Sequence, residues 1–270
     1  MERQPEPAII TLTTDFGLAD HYAGAMKGVL LSRCRGARIV DISHEIPPFS
    51  IAAGAYTISQ AAPYFPAGTI HVVVVDPGVG TTRRAIVVEA NNQLFIAPDN
   101  GVLTLITATD SNAIAREITN RALWLASPSQ TFHGRDIFAP VAGALASGSA
   151  RPEDTGPVLR EVGQLRGLYP DQLDEATWRG TVLSIDHFGN VITNFRSSAF
   201  PHLADGALVL ETGGRRISEF RSTFGDAPED LCFAYSGSGG YIELGINQRS
   251  AAAFLGVRPG QSVTLRVTIV

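Results

Sequence analysis

Residues 69–76 read Thr-Ile-His-Val-Val-Val-Val-Asp, and this stretch indicates the fold more strongly than any other. Its run of isoleucine and valine predicts a β-strand over Thr69–Val75. An earlier apolar run, Ala8–Thr13, predicts a strand that is buried on both faces. Apolar residues at helical spacing follow over Tyr22–Cys34, with a further strand candidate at Arg38–Ile42. This alternation of strands and helices predicts an α/β domain with a mainly parallel sheet.

Three further segments extend that pattern. Ile51–Ala62 carries its apolar residues on one helical stripe, and Asp136–Leu145 is a second helix candidate. Ala85–Ala90 and Gln93–Ala97 are separated by an Asn-Asn dipeptide, which tolerates positive φ angles. The two segments therefore predict a β-hairpin.

The pattern changes after residue 146. Ser147–Pro157 is rich in Gly, Pro and Ser, as is typical of a connector. Short strand candidates between glycine-rich turns follow at Gly180–Asp186, Ala207–Leu210, Tyr241–Leu244 and Ser262–Val270. The sequence thus predicts an α/β sandwich-type domain over 1–160, a linker over 161–179 and a smaller all-β, barrel-like domain over 180–270.

Composition restricts the class of protein. The 21 basic and 26 acidic residues give a net charge of −5, which argues against a nucleic-acid partner. A hydrophobic fraction of 44% excludes an intrinsically disordered chain. No apolar run reaches the roughly 20 residues of a membrane helix, and residues 1–7 lack the features of a signal peptide. The two cysteines lie far apart and do not predict a disulfide framework. We therefore expect a cytoplasmic protein with a small-molecule partner.

Acidic residues follow the predicted strands of the first domain, where open α/β sheets bind their ligands. Asp15, Asp41 and Asp76 each lie at or near such a strand end. Asp15 suits the two hydroxyls of a ribose, although Asp in this position is also a common helix cap. Asp76 with Arg83 or Arg84 suits the positioning of a small nucleophile such as water, or alternatively an ion pair that stabilises the turn.

One histidine lies in a polar, glycine-flanked turn. His133 precedes the predicted helix and has a side chain that can titrate near neutral pH, which suits a base or a proton shuttle. A purely structural role is the alternative. The neighbouring Arg135 and Asp136 are expected to cap the helix and to pair with each other.

The second domain offers groups for recognition. Asp186 and Asn190 flank a glycine, and they suit an ammonium group and the edge of a base, or alternatively an Asx-type turn. Ser236–Tyr241 offers backbone amides. Phe49 and Phe188 are candidates for stacking on an adenine, with core packing as the alternative.

Six motifs run in order through both predicted domains: Thr13–Gly17, Asp41–His44, Val75–Thr81 with Arg83, Phe132–Pro140, Asp186–Asn190 and Gly240–Asn247. This ordered set resembles the S-adenosyl-L-methionine hydroxide adenosyltransferases, long known as the domain-of-unknown-function-62 proteins. They are relatives of the fluorinase and the chlorinase. The resemblance extends from about residue 8 to the C-terminus.

The resemblance implies that water or hydroxide displaces L-methionine from C5′ of S-adenosylmethionine and releases adenosine. S-Adenosylmethionine is then the substrate, and no cofactor is required. The catalytic set of the family falls on Asp76, Arg83 and His133, which are expected to orient the water and help to deprotonate it. Which of the three takes the proton is left open.

The resemblance also implies a set of substrate contacts. It places the ribose diol at Asp15 and the methionine ammonium at Asp186. It places the adenine edge at Asn190, and Phe49 near the sugar or the methionine. It further implies a homotrimer, in which the first domain of one subunit and the second domain of its neighbour share the site.

The halogenase branch differs at several positions. Those enzymes carry tyrosines in place of Asp76 and His133, a small halide-binding residue at Gly134, and an extra loop in the first domain. Because a carboxylate repels an anion, hydrolysis fits this chain better than halogenation. The stretch Ser236–Tyr241 lacks the arginine of the halogenases, which leaves recognition of the methionine carboxylate open, with Ser238 as a candidate.

Two other classes of function compete with this interpretation. A metal-dependent hydrolase would use a cluster of acidic and histidine ligands formed by Asp15, Asp41, His44, Asp76 and His133. It would lose activity with a chelator. A non-catalytic adenosyl-ligand-binding protein would bind its ligand without turnover.

Overall fold

The division of the chain into two parts is evident in a computed structural model that describes residues 7–200 and 207–267. The compact units are Met1–Leu165 and Arg166–Val270. The start of the expected linker is bonded to the first unit, because the Gly163 backbone N–H donates to Asp99 Oδ1 over 2.6 Å. Later residues of that stretch already contribute strands to the second unit.

The sheet of the first unit is mainly parallel, as predicted. Its described strands are β1 (Ile9–Thr14), β2 (Arg38–Ser43), β3 (Ile70–Val74), β4 (Ala85–Ala90), β5 (Gln93–Pro98) and β6 (Ile114–Glu117). They lie in the order β2-β1-β3-β5-β4-β6. Parallel pairs join β1 to β2, β1 to β3 and β3 to β5, whereas β4 is antiparallel to both of its neighbours. The carboxyl ends of β1 and β3 are therefore adjacent.

Helices cover both faces of this sheet. They are α1 (Tyr22–Arg33), α2 (Ile51–Ala61), α3 (Thr104–Thr107) and α4 (Ala139–Ala146). Successive residues of β3 point to opposite faces, so Val72 joins the core that contains Met26 of α1, whereas Val73 joins the core that contains Ile58 of α2. Burial on both faces explains the continuous apolar run of β3.

The predicted helix Asp136–Leu145 forms with a wider first turn. Gly134–Phe138 is a π-helical turn, and α4 follows it directly. Pro140 has no N–H with which to bond the Asp136 carbonyl. That carbonyl instead accepts from the Leu125 N–H over 3.0 Å. The missing donor explains why the helix widens at this point.

The second unit is an antiparallel, barrel-like sheet, as predicted. Its described elements are β7 (Asp171–Gln172), β8 (Thr177–Ile185), β9 (Val191–Arg196), β10 (Leu208–Thr212), β11 (Arg215–Ile217), β12 (Cys232–Ser236), β13 (Tyr241–Ile246), α5 (Ala251–Leu255) and β14 (Ser262–Val267). The strand order is β11-β10-β14-β8-β9-β13-β12, with β7 on β8. The chain after β11 bonds back to β12, because Ala234 donates to the Glu219 carbonyl over 2.8 Å. The sheet is therefore nearly closed.

The hairpin between β4 and β5 is confirmed, with φ angles of 52° at Asn91 and 58° at Asn92. No strand was predicted at the positions of β6, β7, β9, β11 and β12. The last three residues of the strand predicted over Ser262–Val270 lie outside the described residues. No helix within residues 7–200 and 207–267 is long and apolar enough to cross a lipid bilayer.

Candidate functional site

Three titratable residues that the sequence singled out lie around one cavity at the carboxyl edge of the first unit's sheet. Asp15 directly follows β1, and Asp76 lies two residues beyond β3. Because β1 and β3 are parallel neighbours, their following residues lie at the same edge. Together with His133 they line a cavity of about 400 Å³, here called the reaction cavity. Its other lining residues are Phe16, Tyr22, Pro48, Phe49, Val74, Val79, Thr131, Phe132 and Gly134.

Arg83 connects the other two members of the predicted catalytic set. Its Nε donates to Asp76 Oδ1 over 3.1 Å, and its Nη2 donates to Asp76 Oδ2. The same Nη2 lies 2.7 Å from Nδ1 of His133. The side chains of Asp76 and Arg83 are only 5% and 10% exposed. The three residues therefore form one continuous, largely buried polar chain.

This chain fixes the proton on the histidine ring. A guanidinium has only N–H donors, so Nδ1 of His133 must accept from Arg83, and a neutral ring then carries its proton on Nε2. Burial lowers the pKa of His133, and the positive charge of Arg83 lowers it further, while Asp76 and Asp136 oppose the shift. Both effects keep the ring neutral at neutral pH, with Nε2 available as a hydrogen-bond donor.

The loop between β3 and β4 holds Asp76 and Arg83 in place. The Thr81 hydroxyl donates to the Gly78 carbonyl over 2.7 Å, which closes the turn between them. Gly80 has a φ angle of +78°, and a Cβ there would lie 2.5 Å from the Gln130 carbonyl oxygen. Only glycine fits this close approach, which brings the loop against the segment that leads to His133.

Asn100 contacts the same loop and was not identified from the sequence. Its Nδ2 donates to the carbonyl of Val75, directly before Asp76, over 2.8 Å. Its Oδ1 accepts from the Val102 N–H over 3.1 Å. Asn100 therefore fixes the peptide that carries Asp76. Its position before a glycine, after a predicted strand, is the only sequence signal for this role.

Asp15 is oriented by backbone groups. Its Oδ2 accepts from the Phe49 N–H over 2.9 Å. Burial raises the pKa of Asp15, the bond from Phe49 lowers it, and the charge of Asp76 adds to the increase. Phe49 itself has a φ angle of 67° and is 72% exposed at the rim of the cavity. A half-buried carboxylate beside an exposed aromatic ring is suited to a polar ligand with a flat apolar part.

Asp41 and His44 belong to a different network. His44 is buried, with Nδ1 2.8 Å from the Thr14 hydroxyl and Nε2 3.1 Å from Asp41 Oδ1. Asp41 also pairs with Lys27 over 2.5 Å. Burial would raise the pKa of Asp41, but the bonds from Lys27 and His44 hold it below its ordinary value. Within residues 7–200 and 207–267, no three His, Cys, Asp or Glu side chains are placed to hold a metal ion.

In the second unit, Asp186 and Asn190 are bonded to each other. Asp186 Oδ1 accepts from the N–H groups of Phe188 and Asn190 over 2.9 and 2.8 Å, and Oδ2 accepts from Asn190 Nδ2 over 2.8 Å. Gly189 has a φ angle of +84°, and a Cβ there would lie 2.2 Å from Ser250 Oγ. The bonds to Asp186 form the Asx-type turn that was one of the two alternatives predicted from the sequence. Phe188 lies in this turn and is 76% exposed.

That turn borders a cavity of about 470 Å³, here called the aromatic cavity. Its lining residues are Phe188, Asn190, Phe224, Ile246, Asn247, Gln248, Arg249 and Ser250. The sequence predicted a role only for the first two, although Asn247 closes one of the six motifs. Ser238 does not line this cavity and is exposed in the turn between β12 and β13.

Comparison with known proteins identifies relatives over nearly the whole chain. The model of the SAM hydroxide adenosyltransferase N-terminal domain matches residues 10–156, and that of the C-terminal domain matches residues 180–264. A protein of Salinispora tropica named (R)-S-adenosyl-L-methionine hydrolase is 41% identical over 96% of this chain and 97% of its own length. One of the same name from Thermus thermophilus is 40% identical over 93% and 97%. A fluorinase of Nocardia brasiliensis is 28% identical over 96% and 97%.

A solved structure supports the same relationship. An uncharacterized conserved protein of Thermotoga maritima superposes with a TM-score of 0.86 at 37% identity, covering 95% of this chain and 99% of that one. The two domain models, taken together with the hydrolase relatives, place both described units in one family. The chain belongs to the SAM hydroxide adenosyltransferase family.

Proposed function

We propose that this protein hydrolyses S-adenosyl-L-methionine to adenosine and L-methionine. The observation that carries the proposal is the chain Asp76–Arg83–His133 in a cavity that also contains Asp15. The names of the relatives add the configuration at sulfur, since they specify the (R) epimer. We take that epimer as the substrate of this protein.

The chemistry of the substrate explains why such a small catalytic set is sufficient. The sulfonium sulfur leaves as a neutral thioether, so no acid has to protonate the leaving group. In the reaction the C5′–O bond forms as the C5′–S bond breaks, and sulfur keeps the electron pair. The enzyme must therefore hold a water in line behind C5′ and limit its hydration.

The proton state of His133 assigns a role to each group. Its Nε2–H donates to the water and orients it, because Nδ1 already accepts from Arg83. Asp76 takes the proton, since each carboxylate oxygen keeps a lone pair after bonding to Arg83. Arg83 compensates the charge of Asp76 and holds the side chains of Asp76 and His133 in fixed positions.

The remaining predicted residues bind the substrate. Asp15 accepts the ribose diol, and Phe49 lies over the sugar. Phe188 stacks on the adenine, whose edge bonds to Asn190, in a cavity to which Phe224 and Ile246 add apolar surface. Asp186 receives the methionine ammonium.

We further propose a homotrimer in which each site takes the reaction cavity from one subunit and the aromatic cavity from its neighbour. Mixing two impaired variants, assayed at a substrate concentration below the wild-type KM, tests this arrangement. Asp76→Asn damages the first half-site and Phe188→Ala/Asn190→Ala damages the second. Random assortment in a closed ring leaves about one quarter of the sites intact in both halves, so activity returns on mixing. A site formed within one chain gives no recovery.

Halogenation is disfavoured by two observations. Asp76 places a carboxylate in the reaction cavity, where it repels a halide. A Cβ at Gly134 would lie 3.1 Å from Met26 Sδ and 3.4 Å from ring atoms of Phe16 and Phe132, so the halide-binding side chain has little room. The alignment with the fluorinase spans 297 positions, more than the 270 residues of this chain, in keeping with extra residues in that enzyme.

The direct test is incubation of the EDTA-treated protein with each sulfonium epimer, with and without chloride, followed by chromatography. Adenosine and methionine from the (R) epimer alone, in equal amounts and independent of chloride, is the expected result. A 5′-chlorinated nucleoside would identify a halogenase. Activity that EDTA abolishes and a divalent metal restores would identify a metal-dependent hydrolase.

A further inference from the structure

Asp41 and His44 belong to one of the six sequence motifs, and no step of the proposed reaction uses them. Their side chains form part of a series of contacts that leads from the surface of the first unit to the residue before Asp15. Lys27 Nζ pairs with Asp41 Oδ2 over 2.5 Å, and His44 Nε2 lies 3.1 Å from Asp41 Oδ1. On the other side of the ring, His44 Nδ1 lies 2.8 Å from the Thr14 hydroxyl. The four side chains of Lys27, Asp41, His44 and Thr14 are here called the His44 network.

The direction of these bonds follows from the donors that are present. A carboxylate has no proton to donate, so the proton between Asp41 and His44 lies on Nε2 of the ring. In a neutral ring Nδ1 is then an acceptor, and the Thr14 hydroxyl donates to it. The oxygen of this hydroxyl in turn accepts from the Phe16 N–H over 3.3 Å. The His44 network therefore ends on the peptide that joins Asp15 to Phe16.

A change of register between β1 and β2 brings His44 beside Thr14. The pairing of the two strands shifts after Leu12, so that β2 carries one residue more than β1 at this end. Continued by one residue, the shifted register places Thr14 opposite His44, whereas the unshifted register would place it opposite Ser43. Bulges of this kind redirect the side chains that follow them and are common next to binding sites.

Backbone bonds join the same two segments. The Gly17 N–H donates to the His44 carbonyl over 2.7 Å, and the Ile46 N–H donates to the Thr14 carbonyl over 3.3 Å. Thr14 is fully buried and His44 is 3% exposed, so water does not compete for the bond between their side chains. Asp15 lies between Thr14 and Gly17, and the His44 segment therefore holds the backbone on both sides of it.

We infer that His44, oriented by Asp41, is a positioning residue for substrate binding: through Thr14 it fixes the backbone that orients Asp15 towards the reaction cavity. The inference rests on the proposed function, in which Asp15 accepts the two ribose hydroxyls. A carboxylate accepts from both hydroxyls of a diol only in a narrow range of orientations, so a shift of this backbone weakens both bonds. None of the four side chains of the His44 network lines the reaction cavity. The network therefore acts on KM rather than on kcat.

Thr14→Val tests this inference, because it replaces only the hydroxyl of the central bond with a methyl group. The two substrates are S-adenosylmethionine and its 2′-deoxy analogue, prepared with the same composition of sulfur epimers. We expect the wild type to have a higher KM for the analogue, which lacks one hydroxyl of the diol. Thr14→Val raises KM for the full substrate by about 3- to 10-fold at unchanged kcat, since one bond of the network is lost. KM for the analogue rises less, so the variant distinguishes the two substrates less well than the wild type does.

Thr11 of the same strand provides a matched control. It is fully buried like Thr14, and its hydroxyl lies 2.7 Å from Nδ1 of the buried His71. Thr11→Val therefore removes the same kind of bond from β1, but it lies further from the reaction cavity and does not adjoin Asp15. We expect urea unfolding to show a similar loss of stability in the two valine variants. Only Thr14→Val changes the KM values.

Further variants change the other members of the network. His44→Leu removes the acceptor for the Thr14 hydroxyl, whereas His44→Asn places an amide oxygen near the position of Nδ1. KM for the full substrate is therefore higher in His44→Leu than in His44→Asn. Asp41→Ala removes a side chain that is 38% exposed, so the core stays filled, and it raises KM by less than Thr14→Val does. This variant decides the question if a substitution in the core prevents folding.

Several results would overturn the inference. One is a wild-type KM for the full substrate in folded Thr14→Val or in Asp41→Ala, and another is an equal rise in KM in Thr11→Val. A third is an undiminished difference in KM between the substrate and its 2′-deoxy analogue in Thr14→Val, which would show that the bond does not position the ligand of the ribose. Absence of turnover of either substrate by the wild type would instead refute the proposed function, so the two failures are distinct.

Discussion

The reaction cavity and the aromatic cavity are built in different ways. The first is organised by charge, since Arg83 joins Asp76 to His133. Its two acidic residues, Asp15 and Asp76, lie just beyond the ends of β1 and β3. The second is organised by shape, since Asp186 is used to close a turn that presents Phe188. A change in the Asp76–Arg83–His133 chain should therefore affect the chemical step, and a change in the aromatic cavity should affect binding.

The largest expected effect is that of Asp76→Asn. An amide cannot accept a proton, so kcat falls by about 10²- to 10⁴-fold, while KM changes little. Steady-state kinetics with the (R) epimer measures both constants. Asp15→Asn is the matched control, because it removes the charge of the other carboxylate and is expected mainly to raise KM. Wild-type kcat in Asp76→Asn would refute the assignment of the proton acceptor.

A second prediction concerns the stability of the first unit. His71 is fully buried, bonds to the Thr11 hydroxyl over 2.7 Å and stacks on Phe95. Burial lowers its pKa to about 4. The unfolded chain takes up this proton below about pH 6.5 and the folded chain only near pH 4. The free energy of unfolding therefore falls by about 3 kcal/mol between those values and is unaffected above them.

Urea unfolding at a series of pH values measures this loss. The quantity of interest is the slope of the free energy of unfolding against pH. His71→Phe removes the part of this slope that arises between pH 6.5 and pH 4, whatever the effect of the substitution on stability at neutral pH. The exposed His187 of the second unit provides the control variant His187→Phe, which retains the slope. An unchanged slope in His71→Phe would show that another group is responsible.

A smaller effect is expected in the aromatic cavity. Phe188→Ala removes an exposed ring, so folding is preserved, and the loss of stacking raises KM by about 10-fold at unchanged kcat. Tyr64→Ala is the control, because Tyr64 is 87% exposed and lines neither the reaction cavity nor the aromatic cavity. A fall in kcat without a rise in KM would contradict the division of roles between the two cavities.

The smallest effect is on the acid side of the pH–rate profile. His133 acts as a neutral ring that accepts from Arg83, and burial holds its pKa below the ordinary value of 6.5. Activity is therefore retained at pH 6.5 and lost as the pH falls through this lowered pKa. His133→Asn offers Arg83 an amide oxygen that does not titrate. We therefore expect a lower kcat for this variant and a smaller loss of its activity as the pH falls. An unchanged loss of activity at low pH in His133→Asn would show that another group is responsible for it.

Local patterns were sufficient to predict some features and not others. Runs of apolar residues identified β3 and its neighbours, because burial on both faces leaves a clear mark in the sequence, and Asp76 followed from its place after β3. The bond between Arg83 and His133 joins residues 50 positions apart, and no local pattern encodes it. Phe224 reaches the aromatic cavity through packing of the barrel, which the sequence does not reveal.

The π-helical turn before α4 illustrates a further limit. Apolar spacing predicted a helix there but not its widened start, which depends on a proline and on a carbonyl bonded from a distant segment. Arg135 lies within that turn, and its position 4.9 Å from the centre of the Phe132 ring also required the three-dimensional structure. Side-chain identity alone indicated only that Arg135 pairs with Asp136.

The central claim is that the reaction cavity directs a water molecule to C5′. The most direct measurement is hydrolysis of the (R) epimer in ¹⁸O-enriched water, with mass spectrometry of both products. The claim predicts one labelled oxygen in adenosine, at the 5′ position, and unlabelled methionine. Unlabelled adenosine, or a label in the amino-acid product, would contradict it.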